Sequence, residues 1–148
     1  MGIEEKMVWG IHTLDDNLFL KNNLIAIGWH DFGDLTKVDG NRKAFKAHYI
    51  ESYPDAKKGE VSICVGMLFR FLYEVQVGDY VVFPSKIDRM INIGTIESDY
   101  FYKDTDEEYV QRRKVKWLKH IPRTSFTQGA LHEVGSAMTF FLYKELCR

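Results

Sequence analysis

Between Val61 and Val75, the residues Val61, Cys64, Val65, Leu68, Leu72 and Val75 recur at the spacing of one helical face. The pattern then changes character. "VGDYVVFPS" (77–85) reads as a turn and a strand, "KIDR" as a hairpin turn, and "MINIGTIESDYFYK" (90–103) as a long returning strand. After the acidic loop "DTDEE", a strand is predicted from Gln111 to Ile121. Along it Val115, Trp117 and Ile121 face one way, and Arg112, Lys114 and Lys116 the other. A buried helix followed by strands joined through hairpins confines the chain to the α+β class.

The first half adds the complementary elements. "MVWGIH" (7–12) reads as a strand, followed by a helix capped by Thr13 with Asp16 in its first turn and Leu14, Leu18 and Phe19 as the apolar stripe. "LIAIGW" (24–29) is a second strand. A helix over Arg42–Ser52 ends before Pro54, where ring geometry forbids continuation. Beyond Pro122 a short helix (126–133) and a strand "MTFFLY" (138–143) are expected. The predicted architecture is a curved antiparallel sheet or small β-barrel flanked by helices. Its length of 148 residues suits a single domain, 1–148. The chain is read as the N-terminal part of a longer protein.

Charge and motifs exclude most enzyme classes. With a formal net charge of −1, the field of the whole protein does not attract polyanions, so any anionic partner must be met by a local patch. The histidines His12, His30, His48, His120 and His132 show no zinc-helix spacing, so no metal is expected. No glycine-rich phosphate loop and no serine in a nucleophile elbow is present. A metal nuclease needs a strand-borne carboxylate and an adjacent acidic-x-Lys element; Asp55 follows Pro54 at a helix end, with no such partner. Asp104, Asp106, Glu107 and Glu108 crowd a solvated turn. The expectation is a binding domain, not an enzyme, with no cofactor. Two cysteines, Cys64 and Cys147, are too few for a disulfide framework. Lacking a leader core or a spanning-length apolar stretch, the chain is expected to be cytoplasmic, with no membrane partner.

Recognition chemistry is better supplied. Trp9 and Trp29 each adjoin a glycine, Trp9-Gly10 and Gly28-Trp29, and a glycine lets a backbone approach a flat ligand. Two readings stay open for these rings: walls of a pocket, or covers over an open barrel end. Trp117, alternating with Val115, reads as core. Binding an extruded base requires stacking faces and polar groups for the base edge. Trp9, Trp29, Ser62, Asp99 and Tyr100 offer that mixture, with "HDFGDL" (30–35) as a mobile rim. Candidate phosphate contacts are Arg42, Lys43 and Lys46 in "NRKAFK", Lys86 and Arg89 at the hairpin tip, and Arg112, Arg113, Lys114 and Lys116 in "RRKVK". The competing reading of the basic strand is a solvated edge guarded by lysines.

"IAIGW", "GEVSICVGMLFRFLYEVQVGDYVVFPS", "NIGTIESDYFYK", "RRKVKWL" and "GSAMTFFLY" occur in that order. This ordered set resembles EVE-like domains found at the N-termini of Mrr-like, modification-dependent restriction endonucleases. It covers the chain from Val8 to about Tyr143. EVE-like domains are PUA-like and YTH-related, so the resemblance implies a curved sheet or barrel flanked by helices. It also implies a sensor that flips a modified base, such as a methylated one, into an aromatic pocket. Trp29 and Trp9 would line that pocket, with Asp99 and Tyr100 nearby. The implied partner is modified duplex DNA, within a restriction system that joins the sensor to a nuclease domain. A reader of modified RNA, or a module for a small molecule or protein, is the alternative.

Overall fold

A computed structural model describes residues 6–13 and 15–125, so the helix expected at 126–133 and the strand expected at 138–143 lie outside the described residues. In chain order the elements are β1 (Val8–Gly10), α1 (Asp16–Asn22), β2 (Leu24–Ile27), α2 (Arg42–Ser52), α3 (Lys58–Tyr73), β3 (Tyr80–Pro84), β4 (Met90–Ile96), β5 (Phe101–Tyr102) and β6 (Gln111–Pro122). The strands form one open, strongly curled mixed sheet, a half-barrel in the order β1-β3-β4-β6-β2, with β5 paired to β6. The α+β class and the curved sheet with helices stand. The sheet is not purely antiparallel, because β1 runs parallel to β3, with Trp9 beside Val81. The long passage through α1, β2, α2 and α3 brings the chain back to the same edge, which a tight hairpin cannot do.

The helices follow their apolar spacing. On α3, Val61, Cys64, Val65, Leu68 and Phe71 are buried. Its first turn is closed by Glu60, whose side chain accepts from the Lys57 backbone N–H at 3.0 Å. The helix stops at Tyr73, two residues short of the predicted end, although Val75 is itself buried. The cap of α1 is Asp15, not Thr13: Asp15 accepts from the Leu18 N–H at 3.1 Å, while Thr13 accepts from Asp15 itself. Asp16 is then free to turn inward. It is buried, and it accepts from the Ser85 hydroxyl and from the Lys86 N–H, pinning the β3–β4 hairpin onto α1.

β6 is the spine of the sheet. Its first residues pair with β2 on one side and β5 on the other, and from Val115 onward it pairs with β4. The long returning strand predicted over 90–103 is therefore two strands. Ser98 interrupts them: its hydroxyl accepts from the Lys114 N–H at 2.8 Å, taking the place of a backbone carbonyl. A bulge separates the pairs Ile93–Lys119 and Gly94–Trp117, leaving Leu118 unmatched. That extra residue reverses the alternation, so Ile121, the partner of Ile91, faces away from the side shared by Val115 and Trp117. The predicted common face of these three residues does not hold.

Candidate ligand pocket

β2 delivers its four buried residues, Leu24–Ile27, into the core, and the chain then turns sharply at Trp29. Trp29 has φ 63° and ψ 51°, the left-handed region, where a side chain costs roughly 1 kcal/mol or more. The neighbouring glycine does not take up this strain. Trp29 accepts from the Phe32 N–H at 3.1 Å, closing a 3₁₀ turn over His30–Phe32. The segment after it is anchored: Phe32 and Leu35 are core residues, His48 Nε2 meets the Phe32 carbonyl at 2.8 Å, and the Leu35 N–H donates to the Tyr100 hydroxyl at 3.1 Å. The idea of "HDFGDL" as a loose rim is corrected accordingly.

The indole of Trp29, half-buried, forms one wall of a hollow of about 420 Å³ between the 29–31 turn, the end of α2 and the start of α3. Tyr53 supplies a second, half-buried ring, packed tilted at 4.7 Å between ring centres against Tyr49, which is only 1% exposed and backs the pocket from the core. The Trp29 Nε1–H donates to the Tyr49 hydroxyl at 3.3 Å, tying the two walls together. Burial pushes the Tyr49 phenol up; the indole hydrogen bond partly offsets this and the Glu60 charge adds to it. Tyr53 is also pushed up, again by burial first, with the Asp31 charge adding. Both phenols stay neutral at physiological pH. Asp31, Ser52, Asp55 and Glu60 complete the polar lining.

The other expected pocket residues are elsewhere. Trp9, only 5% exposed, belongs to the core, where its Nε1–H donates to Asp79 at 2.9 Å. Its assignment to the pocket is corrected, because a ring enclosed on all sides offers no face to a ligand. Ser62 is exposed on α3 and does not line the Trp29 hollow. Asp99 and Tyr100 border a second, shallower hollow with Leu72, Gln76 and Arg113. Tyr100 there acts as a strut between the chain at Leu35 and Gln111, which its hydroxyl also bonds.

The basic residues divide as sharply. Arg112 and Arg113 are 8% and 3% exposed. Arg112 donates to the Tyr109 carbonyl and to Glu107 at 2.8 and 3.1 Å. Arg113 donates to the carbonyls of Phe71, Leu72 and Ser98 at 3.0, 3.0 and 3.2 Å, satisfying the end of α3. Neither guanidinium is available to a phosphate, so both are corrected from contact to structural roles. Alternation misled here because α3 covers one face of β6 and the 103–110 loop the other. Lys43, Lys46, Lys86, Arg89, Lys114 and Lys116 are exposed; Arg42 is too, although it pairs with Glu74 at 3.4 Å and lies over Phe69.

Sequence reasoning missed Tyr49, Tyr53, Asp31, Asp55 and Glu60. The segment "YIESYPDAKKGE" held the cue: two tyrosines at i, i+4 spacing immediately before a helix-breaking proline put adjacent rings at a helix end. Among the described residues, no group of three or more His, Cys, Asp or Glu side chains is placed to hold a metal ion. None of the described helices is long and apolar enough to cross a membrane.

The molecule is thus an α+β domain whose curled sheet and helix pair frame an aromatic pocket with an acidic lining. The chain belongs to the DUF8426 family, a domain of unknown function, whose profile matches residues 12–142. No curated protein matches it.

Proposed function

We propose that this domain is the specificity module of a modification-dependent restriction system, reading a modified base drawn out of duplex DNA into the Trp29 pocket. The observation that carries this reading is the pocket itself: a hollow of about 420 Å³ walled by the half-buried rings of Trp29 and Tyr53, with the fully buried Tyr49 behind them, in the size range of small-ligand sites. The left-handed strain at Trp29 supports it, since a bulky residue persists in that conformation where its placement is needed. The ordered resemblance to EVE-like domains supports a PUA-like assignment of the curled half-barrel. Stacking an extruded base on an aromatic face contributes about 1–3 kcal/mol. The exposed lysines Lys43, Lys46, Lys86, Lys114 and Lys116, with Arg42 and Arg89, supply cations for the phosphate backbone. Cleavage falls to a fused or associated nuclease, and the system acts in the cytoplasm.

The test is fluorescence anisotropy with duplexes of one sequence, carrying either methylated or unmodified bases. Trp29→Ala should weaken binding of the modified duplex on the order of 10- to 100-fold. Indifference to that substitution would remove the pocket from the reading. Competition with RNA of the same sequence separates the DNA from the RNA reader, because the 2′-hydroxyl either fits or clashes.

A further inference from the structure

The pocket has a sign. Asp31, Asp55 and Glu60 line it beside the aromatic rings, and among the described residues no lysine or arginine does. Lys57 and Lys58 are exposed and lie outside the lining. His30, which also lines it, is held by the Thr105 carbonyl at 2.9 Å and lies 3.5 Å from Asp31. Glu60 is fixed by its bond from the Lys57 backbone, and Asp31 and Glu60 are close enough to Tyr53 and Tyr49 to oppose ionisation of those phenols. A neutral base meets these carboxylates only through its amino N–H donors, which offset part of their desolvation but none of their charge. A cation answers both halves of the lining: ring faces attract it through their quadrupole, tryptophan most strongly, and the carboxylates attract it directly.

We propose that the Trp29 pocket selects a nucleobase that carries a positive charge, one alkylated at a ring nitrogen, over its neutral isomers. The proposal rests on the reading that a base enters this pocket. The half-buried ring faces of Trp29 and Tyr53 suit a planar cation, and the exposed lysines of β6 and α2 suit the strand that carries it.

Isomer pairs change the charge at constant size, 1-methyladenine against N6-methyladenine and 3-methylcytosine against 5-methylcytosine, and the two pairs move the methyl group differently. They are compared in single-stranded oligonucleotides of one sequence at neutral pH, so that the base pairing lost on ring methylation does not contribute. Anisotropy should give the cationic isomer on the order of 10-fold tighter binding in each pair, with the advantage falling toward unity in the D55N/E60Q double variant. Thermal melting of that variant, compared with the parent, verifies that it is folded. Equal or tighter binding of the neutral isomers, still abolished by Trp29→Ala, overturns the charge selection and leaves the base-reading function standing. Failure of all four oligonucleotides to bind overturns both. Binding of a trimethyl-lysine peptide in their place overturns the nucleobase as ligand.

Discussion

The indole nitrogen of Trp9 donates to the carboxylate of Asp79 at 2.9 Å, joining residues seventy positions apart deep beneath the β1–β3 edge. Asp79 also accepts from the Gln76 and Met7 backbone N–H groups at 2.9 and 3.2 Å. Asp79→Ala would strand three donors, the Trp9 indole, the Gln76 N–H at the turn that starts β3 and the Met7 N–H just before β1. It should cost about 3 kcal/mol in urea denaturation while leaving ligand affinity within about twofold. Unchanged stability would mean that water replaces the carboxylate without loss.

Gly94 sits at the bulge. A Cβ there would lie 2.7 Å from the Lys116 carbonyl oxygen and 2.7 Å from the Val115 side chain. The backbone contact cannot be relieved by a rotamer change. Gly94→Ala should therefore destabilise by about 1–3 kcal/mol, read as a lower melting temperature, although alanine ordinarily strengthens a strand relative to glycine.

Trp29 separates conformational cost from binding. Glycine takes up the left-handed backbone freely and alanine does not, so Trp29→Gly should be more stable than Trp29→Ala by about 1 kcal/mol. Both should lose the ligand alike. Denaturant melts paired with anisotropy check the two halves; equal stabilities would mean that the turn relaxes once the indole is gone.

The two sides of the basic strand should behave oppositely. Arg113→Met removes the donors to three carbonyls and should cost about 2–4 kcal/mol, without altering how affinity varies with salt. Lys116→Ala should leave stability within about 0.5 kcal/mol and, if a phosphate lies there, reduce the salt slope by about one. Anisotropy across a salt series reads both.

Alkali should unfold the protein through its tyrosines. The phenols of Tyr49, Tyr53 and Tyr100 are all held above the usual value, chiefly by burial. Above about pH 10 the unfolded chain gives up these protons first, so stability is full below that pH and falls above it. Buried Tyr49 alone can contribute about 1.4 kcal/mol per pH unit. Urea midpoints from pH 8 to pH 11 should show the fall, and Tyr49→Phe should make it shallower.

Much of this fold is legible in local patterns. The end of α2 follows from the Pro54 stop, and α3 from its apolar period. What escapes is whatever depends on a second layer. Alternation along β6 cannot reveal that both faces are covered at Arg112 and Arg113, so two internally bonded guanidiniums read as surface cations. The Leu118 bulge is invisible because nothing in "KWLKH" marks the partner's Gly94. At the pocket, Trp29 was identifiable from its abrupt position after an apolar strand. Apart from Asp31 in the same turn, its aromatic and acidic companions come from the end of α2, the linker after it and the start of α3, at sequence distances that local spacing does not connect.

The central position of β6 also sets an order of events for a growing chain. β2 has its partner in residues 111–114, about ninety positions later, and β4 and β5 wait on the same strand. Until β6 is made, three strands expose unpaired edges and the pocket-bearing turn after β2 has no sheet behind it. Closing such distant pairs is slow compared with local helix formation. Assembly of the half-barrel should therefore be one late, concerted step, with the preceding interval the time of greatest risk of aggregation during synthesis.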